Sequence, residues 1–416
     1  MRKSALPPRV IAGVDVGSGR VSCLIGQIEG GVVRVLGGGA SSCRGGLRGG
    51  VVVNIPETAA AVTRAVEEAE AAGKCEISEV WLGVRGGHLQ SFNNRGAYNI
   101  ARTDREITPG DVAAVVAGAR AIPLASDREI LHAVPQGFSL DRQRGVPHPV
   151  GMEASLLEVD VHLITASSAH LSNVLKTVAQ AGFEVVEPIY GLLAAGELLV
   201  SPEEKELGCA LVDIGGQSIS LGVYAEGAIK HSREIAVGSD FITRDLASGL
   251  KTSMAAAERL KIEHGFAHPS LLGDDAPAQT HGIDGRTPLT VRPSELMAVV
   301  LPRVEEMFTL VAEELQASGY AEAVAPGGAI LTGGGALMRG MAQAASQVLG
   351  LNARLGLPHP ERVRADEAWL SPQYSTAMGL LLCSQSPQWS GAQARAAASA
   401  KPAWVRKLTA ALEGIF

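Results

Sequence analysis

A short phrase occurs twice in this 416-residue chain, about 200 residues apart, and it constrains the fold more than any other feature. The first copy is Val14-Asp15-Val16-Gly17-Ser18-Gly19; the second is Val212-Asp213-Ile214-Gly215-Gly216-Gln217. Each ends an apolar run (VIAGVDVG, CALVDIGG) and is followed by another (VSCLIG, ISLGVY), then by a turn. In each copy the pattern predicts a strand, a tight glycine turn and a returning strand. One Asp-x-Gly turn is an ordinary hairpin, and with 49 glycines in the chain any single glycine pair carries little weight. Two copies predict two related halves, each offering a carboxylate and a glycine loop to a shared phosphate.

The chemistry follows from the residue types. Glycine permits positive φ and lets backbone N–H groups approach an anion closely. A carboxylate at a strand end repels phosphate unless a cation lies between them. Magnesium suits that place, because it keeps several waters and is held by one or two carboxylates plus phosphates. Asp15 and Asp213 are therefore candidate magnesium ligands acting through water. A third cluster, ILTGGGALMRG from Ile330 to Gly340, reads as a strand, a triple glycine and a helix start. Gly333, Gly334 and Gly335 would bring backbone against a flat ring or a phosphate, and a helix N-terminus there favours anions. YSTAMGLLL, from Tyr374 to Leu382, reads as a small-residue helix.

Bulk properties narrow the function classes. The hydrophobic content of 46% provides a sizeable core, and the length predicts two to four domains. A net charge of -7 and 4% aromatic residues give no case for nucleic-acid binding. Five cysteines without CxxC spacing read as buried small apolar residues in a reducing compartment. MRKSALPPRV carries prolines where a signal peptide needs an apolar stretch, and no run approaches the roughly 20 apolar residues of a membrane span. A cytoplasmic location is expected unless something anchors the chain.

Along the chain, strands are predicted from about Val10 to Val35. A helix follows, capped by Asn54 with Pro56 in its first turn and ending near Gly73. EVWLGV is a strand. From Arg85 to Asp160 the character changes, with a helix start at Thr108 and strands around it, which reads as an inserted α+β subdomain. A second half opens at Gly208. Pro302 is expected to kink a long helix, and Asp274 to Thr290 reads as a surface loop. Residues 384–400 are rich in Gln, Ser and Ala and read as a mobile linker. In the last sixteen residues, Trp404, Leu408, Ala411, Leu412 and Ile415 share one helical face, with Val405 and Phe416 at its edge and Arg406, Lys407, Thr409 and Glu413 opposite. That is the composition of a helix lying in a membrane interface; docking on the protein's own core is the alternative.

Two Asp-loops, a glycine-rich loop and a late small-residue helix, in that order, resemble the actin/Hsp70/sugar-kinase superfamily. With the inserted subdomain and the tethered helix, the chain resembles the bacterial cell-division family FtsA over nearly its whole length. RGGLRGGVVVNI, HAVPQGFSLD, GVPHPVGM, VHLITA, LGCALVDIGG, AERLKIEHG, ILTGGGA and YSTAMGLL read like that family's blocks, in order. The resemblance implies an α/β, two-lobed actin-like (ribonuclease-H-like, duplicated) fold with an inserted α+β subdomain. The first core lobe would span 9–84 and 163–207, with the insertion at 85–162. The second would span 208–228 and 324–383, with its own subdomain at 229–323. The linker (384–400) and the amphipathic helix (401–416) would follow.

The same resemblance implies an ATP-binding protein that polymerises, tethers the tubulin-like protein FtsZ to the cytoplasmic face of the inner membrane at the division site, and recruits later division proteins. Asp15, Gly17, Ser18 and Gly19 match its first phosphate loop, and Asp213, Gly215 and Gly216 its second. Glu258 and Lys261 match the pair at the adenosine end; a plain helix-surface ion pair is the other reading. Gly333, Gly334 and Gly335 match the loop lying against the nucleotide. Gln217 stands where the family has a third glycine, and Ser220 where it has an acidic residue. These departures predict slow or undetectable turnover. Glu187 is a candidate for positioning the attacking water. The FtsZ tail would dock on 229–323, with Arg286 and Arg303 as contacts, and anionic lipid would hold the terminal helix. The competing readings are a pilus-type actin-like inner-membrane scaffold and a small-molecule kinase of the same superfamily.

Overall fold

The structure, a computed structural model, describes residues 10–386 and Trp389. The helix expected at 401–416, with its membrane-facing residues, and most of the linker expected at 384–400 lie outside the described residues.

Two sheets carry the same wiring. The first runs in the order Glu184–Tyr190, Glu79–Val84, Val10–Val16, Arg20–Glu29, Val32–Ser42, Val363–Arg364. The second runs Ala353–Leu355, Ala329–Thr332, Cys209–Ile214, Ile219–Ala225, Ala228–Ile235. Each contains a three-stranded antiparallel meander with two parallel strands added beyond its first strand, and the first sheet gains Val363–Arg364, parallel to Val32–Ser42, at its other edge. The duplicated phrase lands at equivalent places. Asp15 pairs with Ser22 and Val16 with Val21 in one hairpin; Asp213 pairs with Ser220 and Ile214 with Ile219 in the other.

The helices form where their ends are specified. Asn54 accepts from the Glu57 N–H, Pro56 occupies the first turn, and the helix runs Ile55–Gly73 before a left-handed Lys74. Its buried face (Ala61, Val62, Ala65, Val66, Ala69) recurs at helical spacing. Helices Gly191–Leu199 and Ser375–Cys383 cross beneath the lobes with backbone in contact. A Cβ on Gly379 would lie 1.9 Å from the Ala194 carbonyl oxygen, so only glycine fits there. All five cysteines are free; four are buried and Cys75 is half-buried.

The insertion forms a four-stranded sheet in the order Gln90–Asn99, Leu156–Ser167, Arg128–Leu140, Gln143–Val146. Its helix, Pro109–Arg120, starts in a Thr108/Asp111 capping box. Ile107, Val115, Phe138, Leu157 and Leu163 fill a separate small core. The insertion also reaches the second lobe. Ser91 Oγ donates to the Ser232 carbonyl (2.6 Å), Asn93 Nδ2 to that of Lys230 (3.0 Å) and Gln136 Nε2 to that of Ile229 (2.7 Å). These bonds cover the backbone of an edge strand that would otherwise invite pairing.

The boundary expected at 162/163 falls inside the strand Leu156–Ser167, and the one at 228/229 falls inside Ala228–Ile235, because each strand continues through the composition change. Within Asp274 to Thr290 lies a small hairpin, Ala278–His281 with Pro288–Val291. Its strands are too short to show alternation above the turn residues, and Asp284 organises the turn by accepting from the Arg286 and Thr287 N–H groups. Pro302, where a kink is expected, sits inside one continuous 26-residue helix, Pro293–Ser318. Trp389, assigned to the linker, is buried in the first-lobe core with its ring edge-on to His132 at 5.2 Å, as its large apolar area favours.

His132 must be neutral in this arrangement, since its Nε2 accepts from the Tyr190 N–H at 3.0 Å. Burial, with a smaller push from Arg120, lowers its pKa to about 3. An unfolded histidine titrates near 6.5, so acidification protonates the unfolded chain first. This contribution is present above pH 6.5 and is lost as pH falls from there toward 3, by at most about 1.4 kcal/mol per unit. Thermal unfolding followed from pH 7 to pH 5 should show a falling midpoint, with a shallower fall in His132→Gln; equal slopes would exclude His132 as a source.

Candidate functional site

Both duplicated turns close in the same way. The Gly17 N–H donates to the Arg20 carbonyl (3.0 Å) and the Gly215 N–H to the Ser218 carbonyl (2.9 Å). None of Gly17, Gly19, Gly215, Gly216 or Gln217 has positive φ. Glycine serves these loops by closeness instead: a Cβ on Gly216 would lie 3.1 Å from the Asp240 carboxylate. Gln217 is therefore unstrained, and its Oε1 accepts from the Gly49 N–H of the opposite lobe at 2.6 Å.

The turns face each other across a cleft of about 640 Å³, within the range of small-molecule sites. Asp15, Gly17, Ser18, Gly19, Asp213, Gly215, Gly216, Gln217, Glu258, Lys261, Gly333, Gly334 and Gly335 all line it. Of Gly333, Gly334 and Gly335 only Gly333 has positive φ, at 83°. A short 3-10 turn, Gly334–Leu337, follows, and the helix Met341–Leu349 starts after Gly340. The helix N-terminus expected at the triple glycine is thus displaced along the chain by that extra turn.

At one end of the cleft Glu258 receives Lys261 Nζ (2.8 Å), Arg44 Nη2 from the first lobe (3.1 Å) and the Thr243 hydroxyl. Burial pushes its carboxyl up, but the bonds from Lys261 and Thr243 outweigh this and hold it below its ordinary value. Lys261 also donates to Thr243 Oγ1 (2.8 Å) and the Ser239 carbonyl (3.2 Å). The pair is embedded in a network, which a plain surface ion pair would not be.

At the centre the two aspartates approach each other from opposite lobes, with the Arg85 guanidinium between them. Arg85 Nη2 lies 3.1 Å from Asp15 Oδ2 and 3.3 Å from Asp213 Oδ2, and donates to Thr376 Oγ1 at 2.6 Å. Burial raises the Asp15 carboxyl above its ordinary value, and Arg85 offsets part of this. Burial alone would lower Arg85; Asp15, Asp213 and Glu234 together hold it above its ordinary value. A magnesium ion held through water by Asp15 and Asp213 against phosphate fits these residues poorly, because the Arg85 guanidinium already engages both carboxylates.

Glu187 does not line the cleft. It lies in the edge strand Glu184–Tyr190, before the joining helix begins at Gly191, and burial alone raises its carboxyl. Arg303 is committed internally, to Asp245 (2.6 and 3.2 Å) and Glu306. Arg286 is exposed on the turn of the small hairpin. Among the cleft residues missed in the sequence are Arg20, Arg44, Arg85, Asp240 and Thr376. Only Arg85 left a local signal: a charged residue directly after the apolar strand EVWLGV.

A sequence model of the family described as "Cell division protein FtsA" matches residues 210–379, and one described as "SHS2 domain inserted in FTSA" matches 86–165. The cell division protein FtsA of Pseudomonas aeruginosa is 36% identical over 384 residues, covering 92% of this chain and 91% of that protein. That of Escherichia coli K12 is 32% identical over 419 residues, covering 98% of each. Among solved structures, the PilM-PilN type IV pilus biogenesis complex aligns with a TM-score of 0.67 at 18% identity, over 92% of this chain and 100% of that chain. MreB5 of Spiroplasma citri bound to ADP aligns at 0.57 and 13% identity, over 91% and 97%. These likenesses show a shared actin-like fold. Full-length similarity above 30% identity, with the inserted domain in its place, makes this chain a member of the FtsA family of cell-division proteins.

Proposed function

We propose that this protein is an actin-like, ATP-binding scaffold that polymerises and joins FtsZ filaments to the cytoplasmic face of the inner membrane at the division site, where later division proteins gather. The observation that carries the reading is the convergence of all three glycine loops and the Glu258/Lys261 pair on one cleft. The phosphates would lie between the two turns, and Glu258 and Lys261 would hold the adenosine end. Turnover would be slow, since Glu187 does not reach the cleft, and the role is chiefly structural.

The FtsZ tail would dock on the second-lobe subdomain. Arg286 supports this: it is exposed on a hairpin that also presents Ile283 at 77% exposure, a basic and apolar pair suited to an acidic, partly apolar peptide. Arg303 is left out, because Asp245 and Glu306 already hold it. Membrane attachment is assigned to 401–416, because Trp404, Leu408, Leu412 and Ile415 share one helical face of that sequence with Arg406 and Lys407 opposite. One interfacial helix binds reversibly, and a filament that arrays many of them makes later contacts effectively intramolecular.

Three measurements test this. A Cβ on Gly334 meets nothing within 4 Å, so Gly334→Asp adds a charge to the cleft without a clash. Calorimetric titration should show ATP binding by the wild type and affinity about tenfold or more weaker in the variant, roughly 1.4 kcal/mol. No heat from either would end the nucleotide reading. Removal of 401–416, or Leu408→Glu, should abolish sedimentation with anionic vesicles while ATP still binds; continued sedimentation would reassign the anchor. Capture of an FtsZ tail peptide should drop in Arg286→Glu, and undiminished capture would remove that contact.

A further inference from the structure

We propose that Arg85 is the resident counter-ion of the cleft, standing between Asp15 and Asp213 in the place of a divalent metal, so that this chain binds an adenine nucleotide without magnesium. The inference rests on reading the cleft as the ATP site.

The position is built in. Arg85 directly follows the strand Glu79–Val84, whose last five residues are buried, and this strand lies parallel to the one that ends in the first Asp-loop. Next to it, the Gly86 N–H donates to Glu234 Oε2 at 3.2 Å. The Gly50 backbone lies so close over Arg85 that a Cβ there would sit 2.4 Å from the Arg85 carbonyl oxygen. The guanidinium is 11% exposed and bound to three groups, Asp15, Asp213 and Thr376. A solvated surface arginine would have none of these features.

Charge disfavours a metal between the carboxylates. Magnesium holds its ligands at about 2.0–2.1 Å and keeps several waters, so a water-mediated site needs a hydrated ion between carboxylate and phosphate. Contacts of 3.1 and 3.3 Å already engage Asp15 Oδ2 and Asp213 Oδ2 with a cation, the guanidinium. A divalent ion entering there would also face a like charge at short range in a medium that screens poorly. Arginine can do the required work itself: it is charged at every accessible pH and presents five donors in a planar fork that matches phosphate as well as carboxylate. Its Nε is buried and makes no hydrogen bond among the described residues. Nη1 lies 3.8 Å from where a Gly215 Cβ would be, so the fork borders the second phosphate loop.

The test is ATP titration of the full chain by calorimetry, once with magnesium and once with EDTA. The wild type should bind with dissociation constants within about threefold of each other. Arg85→Ser opens the place to a metal, and its affinity should become at least about tenfold weaker in EDTA than in magnesium. Arg85→Lys, which keeps the charge, should remain metal-independent. A wild type about tenfold weaker in EDTA would overturn this inference and leave the nucleotide site standing. Absence of binding in both conditions would overturn both readings. A folded serine variant as indifferent to metal as the wild type would also overturn the inference. Should that variant not fold, the wild-type comparison and the lysine variant decide.

Discussion

Two buried carboxylates from opposite lobes can face each other only if positive charge lies between them, and Arg85 provides it. Removing one member of such a buried group leaves an uncompensated charge, which typically costs about 3–5 kcal/mol. The lobes therefore meet at a charged pivot. Two further bonds close the same seam: Gln217 to the Gly49 backbone, and Arg44 to Glu258. All three join a residue of the first half to one of the second. The cleft is closed by side chains that the duplicated turns themselves present or border.

The halves are related but not independent. The strand Val363–Arg364 and the helix Ser375–Cys383 come late in the chain yet complete the first lobe, one as the edge of its sheet and the other beneath it. Gly13 and Gly379 make this possible, since backbone passes within contact of backbone at both. A chain that returns in this way ties the spacing of the two Asp-loops to the packing of the core beneath them.

Much of this was legible in the sequence, for identifiable reasons. Short-range rules specified the Asn54 and Thr108 helix starts, because capping is decided within three residues. The paired Asp-loops were visible because duplication repeats a signal that alone is weak. What escaped depends on long-range contact. Gln217 looked like a defect in a glycine loop until its partner, Gly49, was in place, and no local pattern joins residues 49 and 217. Arg85 looked like the first residue of an insertion, and only the parallel pairing of Glu79–Val84 with Val10–Val16 carries it to the aspartates. Trp389 sat in a polar stretch whose composition predicts mobility, and one indole reversed that locally. The hairpin within Asp274 to Thr290 is held by four residues a side, too few for periodicity to register.

The burial of Trp389 decides where force enters the body. It packs on His132, which belongs to the insertion and accepts a hydrogen bond from Tyr190 at the rim of the first sheet. A pull on the polypeptide beyond that indole would therefore load the joint between insertion and first lobe, and the insertion in turn grips the second lobe at Ala228–Ile235. The buried indole and the charged seam at Arg85 thus stand at opposite ends of one run of contacts.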